Sequence, residues 1–426
     1  MKEGQVALLF SEGMNRMERI QKDNQYFKFC TYGFLKNLRF FDPFFILFLM
    51  EKGISFTQIG MLYAVREVIT NLFELPSGIL ADTFGRKKAL AGSFILYISS
   101  FALFYFFQNF WFFLIAFTLF GLAEAFRSGT HKGMIMDYLK INNMEGQAAN
   151  YYGHTRSWSQ KGSALSALIA GIIVLYRGTY DSVFLYSIPP YLLNFILILS
   201  YPTNLNRPFE PAMNNKRKRI GSAIRLLLGL LRKPAVLKII YSSASHTAYL
   251  RAIKDYIQLL MFNLAIILPI MASLDLEKKS GILIGIMYFI IFLASSSASK
   301  FSSNLANRSR FNIIRLTLLG GFLLGALSGM AYSYEFWSIS LLAFALIYVV
   351  ENIRKPLLTG AIADQVPKEI LTSVISAQSL LRTIITTLLA LAFGLLADHF
   401  GVGISLLTIS SLLLLSGLLI RIRLQL

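Results

Sequence analysis

Glu124, Arg127 and His131 lie at helical spacing, within about 100° of one another around a helix axis, inside a stretch otherwise apolar enough to cross a bilayer. Glu351 and Arg354 repeat the acid and the base at the same interval. A charge at the bilayer centre costs about 2.5 to 3.5 kcal/mol on insertion scales and more on other estimates, so such residues are kept for ion paths, substrate contacts or mutual pairing. Intramembrane carboxylates suit proton carriage, because burial raises a carboxyl pKa towards neutrality. On this ground Asp42, Glu67, Glu124, Asp255 and Glu351 are candidate proton-coupling groups. Lys36, Arg39, Arg127, His131, Arg251, Lys254, Gln258 and Arg354 are candidate substrate contacts. The alternative for each Glu to Arg interval of three is a self-neutralised structural pair along its own helix. For Glu67 the alternative is a pair with Arg156, Lys161 or Arg382.

These residues need helices to carry them, and the composition supplies helices of membrane length. Of the 426 residues 55% are apolar and 15% charged, whereas a soluble domain carries about a quarter charged. Four stretches of about 20 residues contain no charge: 89–107, 182–201, 316–334 and 402–420. Eight longer apolar stretches carry isolated charges, at roughly 27–50, 58–81, 111–137, 150–175, 236–266, 281–300, 337–362 and 371–397. Twelve spans result, and the charge-free ones are the third, sixth, ninth and twelfth. A helix without charge can face lipid; one with charge must line something wet.

The connections on the side of both termini hold 23 Lys and Arg against 4 on the other side. By the positive-inside rule both termini are expected in the cytoplasm, and the setting expected is an inner, plasma membrane. This asymmetry accounts for most of the net charge of +19, so nucleic acid is not an expected partner. The first 25 residues lack the apolar core of a signal peptide. A single cysteine, Cys30, excludes an internal disulfide and a cysteine zinc cage.

The chain reads as a duplication. Glu124, Arg127, Gly133 and Asp137 answer to Glu351, Arg354, Gly360 and Asp364, each 227 residues on. "IGMLY" at 59–63 returns as "IGIMY" at 284–288, and "FLKNLR" from Phe34 matches "YLRAIK" from Tyr249 class by class. The expected organisation is a six-span bundle over 1–205, a basic amphipathic linker over 206–235 carrying "KRKR", and a second six-span bundle over 236–426. The fold class expected is therefore an all-α membrane protein of twelve helices in two pseudo-symmetric bundles.

The loop between the second and third spans reads "GILADTFGRK", with Gly78, Asp82, Gly85, Arg86 and Lys87 at fixed intervals. It resembles the cytoplasmic loop signature of the major facilitator superfamily, departing at Thr83, where a basic residue is common. The resemblance implies a latch between the halves, with Asp82 near the start of the eleventh span at Leu371. It also implies that the first, fourth, seventh and tenth spans surround a central cavity. The central parts of those four hold seven basic and four acidic residues, which leans towards an anionic solute. "GLLADHFG" at 394–401 looks like the same signature but falls at the outer end of the eleventh span, so it reads as a tight turn. Gly321, Gly325 and Gly329 read as a close-packing stripe.

No phosphate-binding loop, HExxH motif or sequence cluster of the four histidines points to catalysis, and no cofactor or metal is expected. The function expected is secondary active transport by alternating access, coupled to protons, of a small, anionic organic solute, by a monomer among membrane lipids. The competing readings are a proton-coupled multidrug efflux antiporter and a transporter-like sensor that binds without moving its ligand.

Overall fold

A computed structural model describes residues 22–144, 147–206, 234–269, 273–305, 310–365 and 368–419. The chain there is helical throughout: α1 (Asn24–Lys36), α2 (Phe45–Glu51), α3 (Phe56–Phe84), α4 (Arg86–Phe106), α5 (Phe110–Arg127), α6 (Thr130–Ile141), α7 (Ala148–Arg177) and α8 (Ser182–Leu199) form the first half. The second contains α9 (Pro234–Ile253), α10 (Ile257–Ile267), α11 (Leu276–Leu305), α12 (Arg310–Ser333), α13 (Trp337–Gln365) and α14 (Lys368–Leu419). α14 is two spans joined at Gly401, whose φ of 81° breaks the helix. The linker expected at 206–235 falls, but for its two ends, outside the described residues.

Twelve passes follow from this order. By length and hydropathy seven helices, one of them the double α14, qualify as membrane-crossing among the described residues. The passes that fail the test are the first, second, seventh and tenth, which are either split or charged. The first is interrupted after Lys36, and a 3-10 turn at Asp42–Phe44 with Pro43 restarts it. The seventh is interrupted by a 3-10 turn at Lys254–Tyr256. Both interruptions fall in or beside the duplicated "FLKNLR" and "YLRAIK" segments, so the same position breaks in each half.

Within the first half α4 packs on α5 and α8, and α1 on α7; within the second α12 packs on α13 and α14. The halves meet where α3 crosses α14 and α7 crosses α11. Glycines set both crossings. A side-chain carbon at Gly60 would meet the Ala390 carbonyl at 2.5 Å, and one at Gly171 would meet that of Gly281 at 2.7 Å. The stripe on α12 packs likewise, with Gly321 against His246, Gly325 against Tyr249 and Gly329 against the backbone near Leu407.

The face holding the Gly85 turn carries the basic loops and is called the basic face below. On the opposite face α2 packs on α10, and Asp398 of α14 accepts from the Phe56 and Thr57 N–H groups at 2.9 and 2.8 Å, capping α3 across the halves. Tyr180 and Ser280 also meet there at 2.7 Å. Aromatic rings of the first half fill the interior below this closure, Phe45 stacking on Phe117 and Phe41 on Phe184.

Candidate functional site

A cavity of about 610 Å³ lies between the halves and runs from mid-span towards the basic face, where Glu74, Ser128, Lys355 and Arg382 line it. Its walls come from α1 and the break after it, α3, α5, α9 and the break after it, and α13, with one residue each from α2, α11 and α14. The third, sixth, ninth and twelfth spans contribute no lining residue among those described.

Glu124 organises one wall. One carboxylate oxygen accepts from Arg39 and the other from Arg127. Arg39 sits in the break of the first span, where its backbone is free of the helix, and its Nε donates to the Tyr191 hydroxyl at 3.0 Å. That hydroxyl donates to the Lys36 carbonyl at 2.9 Å, using the acceptor the broken helix leaves open. Arg127 Nε donates to the Tyr97 hydroxyl at 3.1 Å. Two arginines held by one carboxylate and two tyrosines form a rigid cationic group, since each guanidinium is fixed at two of its edges.

A second cluster joins the halves. Arg251 donates to Glu67 at 3.0 Å, and Arg66 lies 3.8 Å from the same carboxylate. Tyr63 donates to Asp255 at 2.9 Å, while Lys254 lies 3.4 Å from that acid's other oxygen. Tyr348 of α13 donates to the Lys254 carbonyl at 2.7 Å, again closing an acceptor freed by a helix break. Glu67 therefore pairs with Arg251, not with Arg156, Lys161 or Arg382 as weighed from the sequence.

The third cluster differs in having no arginine. Glu351, 1% exposed, meets His246 Nδ1 at 2.7 Å and accepts from the Thr247 hydroxyl at 2.7 Å, with Lys355 3.7 Å away. Arg354 does not close on Glu351, although the spacing permits it. It is fully buried behind the cavity wall and donates to the Ile314 carbonyl at 2.6 Å and the Ser242 carbonyl at 2.8 Å. As a substrate contact Arg354 is thus corrected: its two terminal nitrogens bond helices of its own half, and its Nε is buried without a partner.

Gln258 also lies off the cavity. Its amide donates to the Asp42 carbonyl at 2.9 Å and its oxygen accepts from the Ile46 N–H at 2.8 Å, binding the first and seventh spans together at the closed end. His131 stacks on Tyr32 with ring centroids 3.6 Å apart and lines a separate chamber. Lys36, Arg39, Asp42, Glu67, Glu124, Arg127, Arg251, Lys254, Asp255 and Glu351 all line the central cavity. Sequence reasoning missed Tyr97, Tyr191, His246 and Thr247. The two tyrosines sit on charge-free spans, where an apolar run conceals a single inward hydroxyl.

The loop signature makes several contacts inside its own half. Gly85 has a φ of 104°, in the region glycine favours, and it presses on Asn206. Arg86 bridges Asp82 at 3.3 Å and Asp137 at 2.6 Å, and Lys87 donates to the Tyr201 carbonyl at 2.8 Å. Gly78 has open space beside it. The pairing implied for Asp82 with the eleventh span at Leu371 ends on a side chain outside those described.

Split first and seventh spans around a charged crevice, in two related six-helix halves, define a membrane transport fold. The chain belongs to the Major Facilitator Superfamily, whose profile matches residues 29–384. It is 23% identical over 390 residues to an uncharacterized MFS-type transporter, YxaM, of Bacillus subtilis (strain 168), covering 88% of this chain and 90% of that one. Its fold superposes on a mutant of the nucleoside transporter NupG with a TM-score of 0.76 at 13% identity, over 93% of this chain and all of that one. A mutant of the peptide transporter POT in complex with sulfate gives 0.71 at 13% identity, over 93% of each chain. The protein is a transporter of this superfamily.

Proposed function

We propose that the protein moves a small organic anion by alternating access, driven by protons, with both termini in the cytoplasm of a plasma (inner) membrane. The observation that carries the reading is how charge is distributed by depth. Eight Lys or Arg and six Asp or Glu line the cavity, but the two signs are not equally accessible. The side chains of Lys355, Arg251 and Lys254 are 54, 40 and 38% exposed, whereas those of Glu351 and Asp255 are 1 and 9% exposed. In the Lys355–Glu351 and Lys254–Asp255 pairs a solute entering from the basic face meets the cation before its carboxylate, while Glu74 is an exposed acid at the same mouth. Such a surface favours an anion and opposes a cationic drug, which supports transport of acids over the efflux alternative.

Proton coupling is assigned to Glu351 and His246. Glu124 carries two guanidiniums, so protonating it would strand two cations whose side chains are only 18 and 20% exposed. Glu351 has a neutralisable imidazole and a hydroxyl as partners, and a proton there can move between carboxylate and ring without breaking an arginine pair. The state described has its cavity directed to the basic face and closed at Asp398, which on the proposed orientation is inward-facing.

Uptake into proteoliposomes with and without an imposed pH gradient tests the reading. Accumulation of organic acids that collapses with the gradient is the expected result. Proton-linked export of cationic drugs would replace it by the efflux reading, and binding without flux by the sensor reading.

A further inference from the structure

Beside the central cavity the first half encloses a second chamber of about 350 Å³. No carboxylate lines it among the described residues, whereas Lys36, Arg127, Lys132 and Arg156 do. Arg127 is already matched by Glu124. The remaining three cations have no acid in the chamber wall to offset them. A polar chamber lined by cations alone is a place where an anion lowers the field energy.

The backbone adds to the same field. The fourth span is broken: α5 ends at Arg127, Gly129 takes a φ of 78°, and α6 restarts at Thr130. Ser128, Gly129, His131 and Lys132, the residues around that restart, line the chamber. The first N–H groups of a helix have no partner within it and carry the positive end of its dipole.

Two side chains then point to a missing ligand. Tyr32 is 2% exposed, and its buried hydroxyl has only the Arg127 guanidinium beside it, a donor, so the hydroxyl's own proton has no acceptor. His131 Nε2, on the ring stacked against Tyr32, is buried and unpartnered. Buried polar atoms are ordinarily satisfied. Two orphans in one cation-lined wall both find an acceptor if an oxyanion occupies it, His131 donating from the tautomer protonated at Nε2.

We infer that this chamber is an oxyanion-binding site taking a phosphate, sulfate or carboxylate group. It shares Lys36, Asn37, Arg127 and Ser128 with the central cavity, so it is a side arm of the solute path. The oxyanion is either a free inorganic ion or the acidic end of a solute whose body lies in the central cavity. Neither source depends on proton coupling or on the direction of transport.

Titration calorimetry of the full purified chain with inorganic phosphate tests the site. Binding that weakens with added salt is expected, and Lys132→Gln with Arg156→Gln should lower affinity roughly tenfold or more, as loss of charge-assisted bonds does. Both residues are exposed, so folding is not at stake. Tyr32→Phe, which removes one oxygen and keeps the ring, should lower it about threefold, the smaller effect of one neutral bond. Arg177→Gln, exposed at the opposite face and lining neither cavity, leaves phosphate affinity unchanged. Phenyl phosphate separates the sources. Tighter binding than phosphate, weakened by Arg251→Gln, marks the head group of a solute, and weaker binding marks a free ion; both keep the chamber as the site. Absent phosphate binding, or affinity unmoved by the Lys132 and Arg156 changes, overturns the assignment. Phosphate binding that persists while organic-acid uptake is absent refutes the proposed transport function and leaves the chamber standing.

Discussion

Glu124 and Glu351 occupy equivalent positions in the two halves and have opposite surroundings. Glu124 holds Arg39 and Arg127, so Glu124→Gln leaves two cations with one neutral partner in a largely buried site. Breaking a buried ion pair from one side costs about 3 kcal/mol or more. The expected outcome is a lowered unfolding temperature and lost uptake at every pH, read by thermal denaturation beside flux; a stable variant with only its pH profile changed would return the proton role to Glu124. Glu351→Gln instead keeps hydrogen bonds to His246 and Thr247 through an isosteric amide. It should fold normally and exchange substrate across the membrane without responding to a pH gradient, and retained proton-driven accumulation would exclude Glu351. The sequence showed that both acids exist and repeat. It could not show their partners, because His246 lies 105 residues from Glu351 and Arg39 lies 85 from Glu124, and an i, i+3 arginine was present in both cases to suggest a local pair. Only the first of those local pairs forms.

At the scale of elements the twelve spans, the two halves and the four charge-free helices were legible because each is a matter of apolar length and of where charge is tolerated. The breaks in the first, fourth and seventh spans were not, Pro43 apart, since a 3-10 turn or a glycine at positive φ leaves little trace in an apolar run. Nor was the role of "GLLADHFG". Taken as a plain turn, it carries Asp398, which caps α3 of the other half at both Phe56 and Thr57. This is the service the resemblance assigned to Asp82 on the basic face. Asp398→Ala removes an N-terminal cap, worth about 1 kcal/mol, from the closed end alone. The expected outcome is a shift of the resting population towards the state open on that face, seen as faster labelling of a cysteine placed at Thr57 in a Cys30→Ser background. Unchanged labelling would assign the closure to Gln258 and Tyr180.

For the whole molecule, the depth ordering of charge and the glycine crossings belong to one design. The α3–α14 and α7–α11 crossings let backbones touch at Gly60 and Gly171; on the proposed mechanism the halves would roll on these smooth contacts while the ion clusters that bridge them break and reform. Arg251 with Glu67, and Tyr63 with Asp255, are the bridges that must part in such a motion. A side chain at the crossing should jam it. Gly60→Leu would drive a branched four-carbon side chain into the Ala390 carbonyl, an overpacking that costs about 1–3 kcal/mol, and should abolish flux more completely than it lowers stability. A lock tests the same motion without a clash. With Thr57 and Asp398 both changed to cysteine in the Cys30→Ser background, a short thiol cross-linker would hold the outer face shut. The cross-linked protein should bind solute from the basic face with unaltered affinity, transport none, and recover flux when a cleavable linker is cut. Transport that continues through the locked protein would mean that the halves do not exchange access by rocking about the central cavity, and the anion would then have to pass along a path other than the one these clusters line.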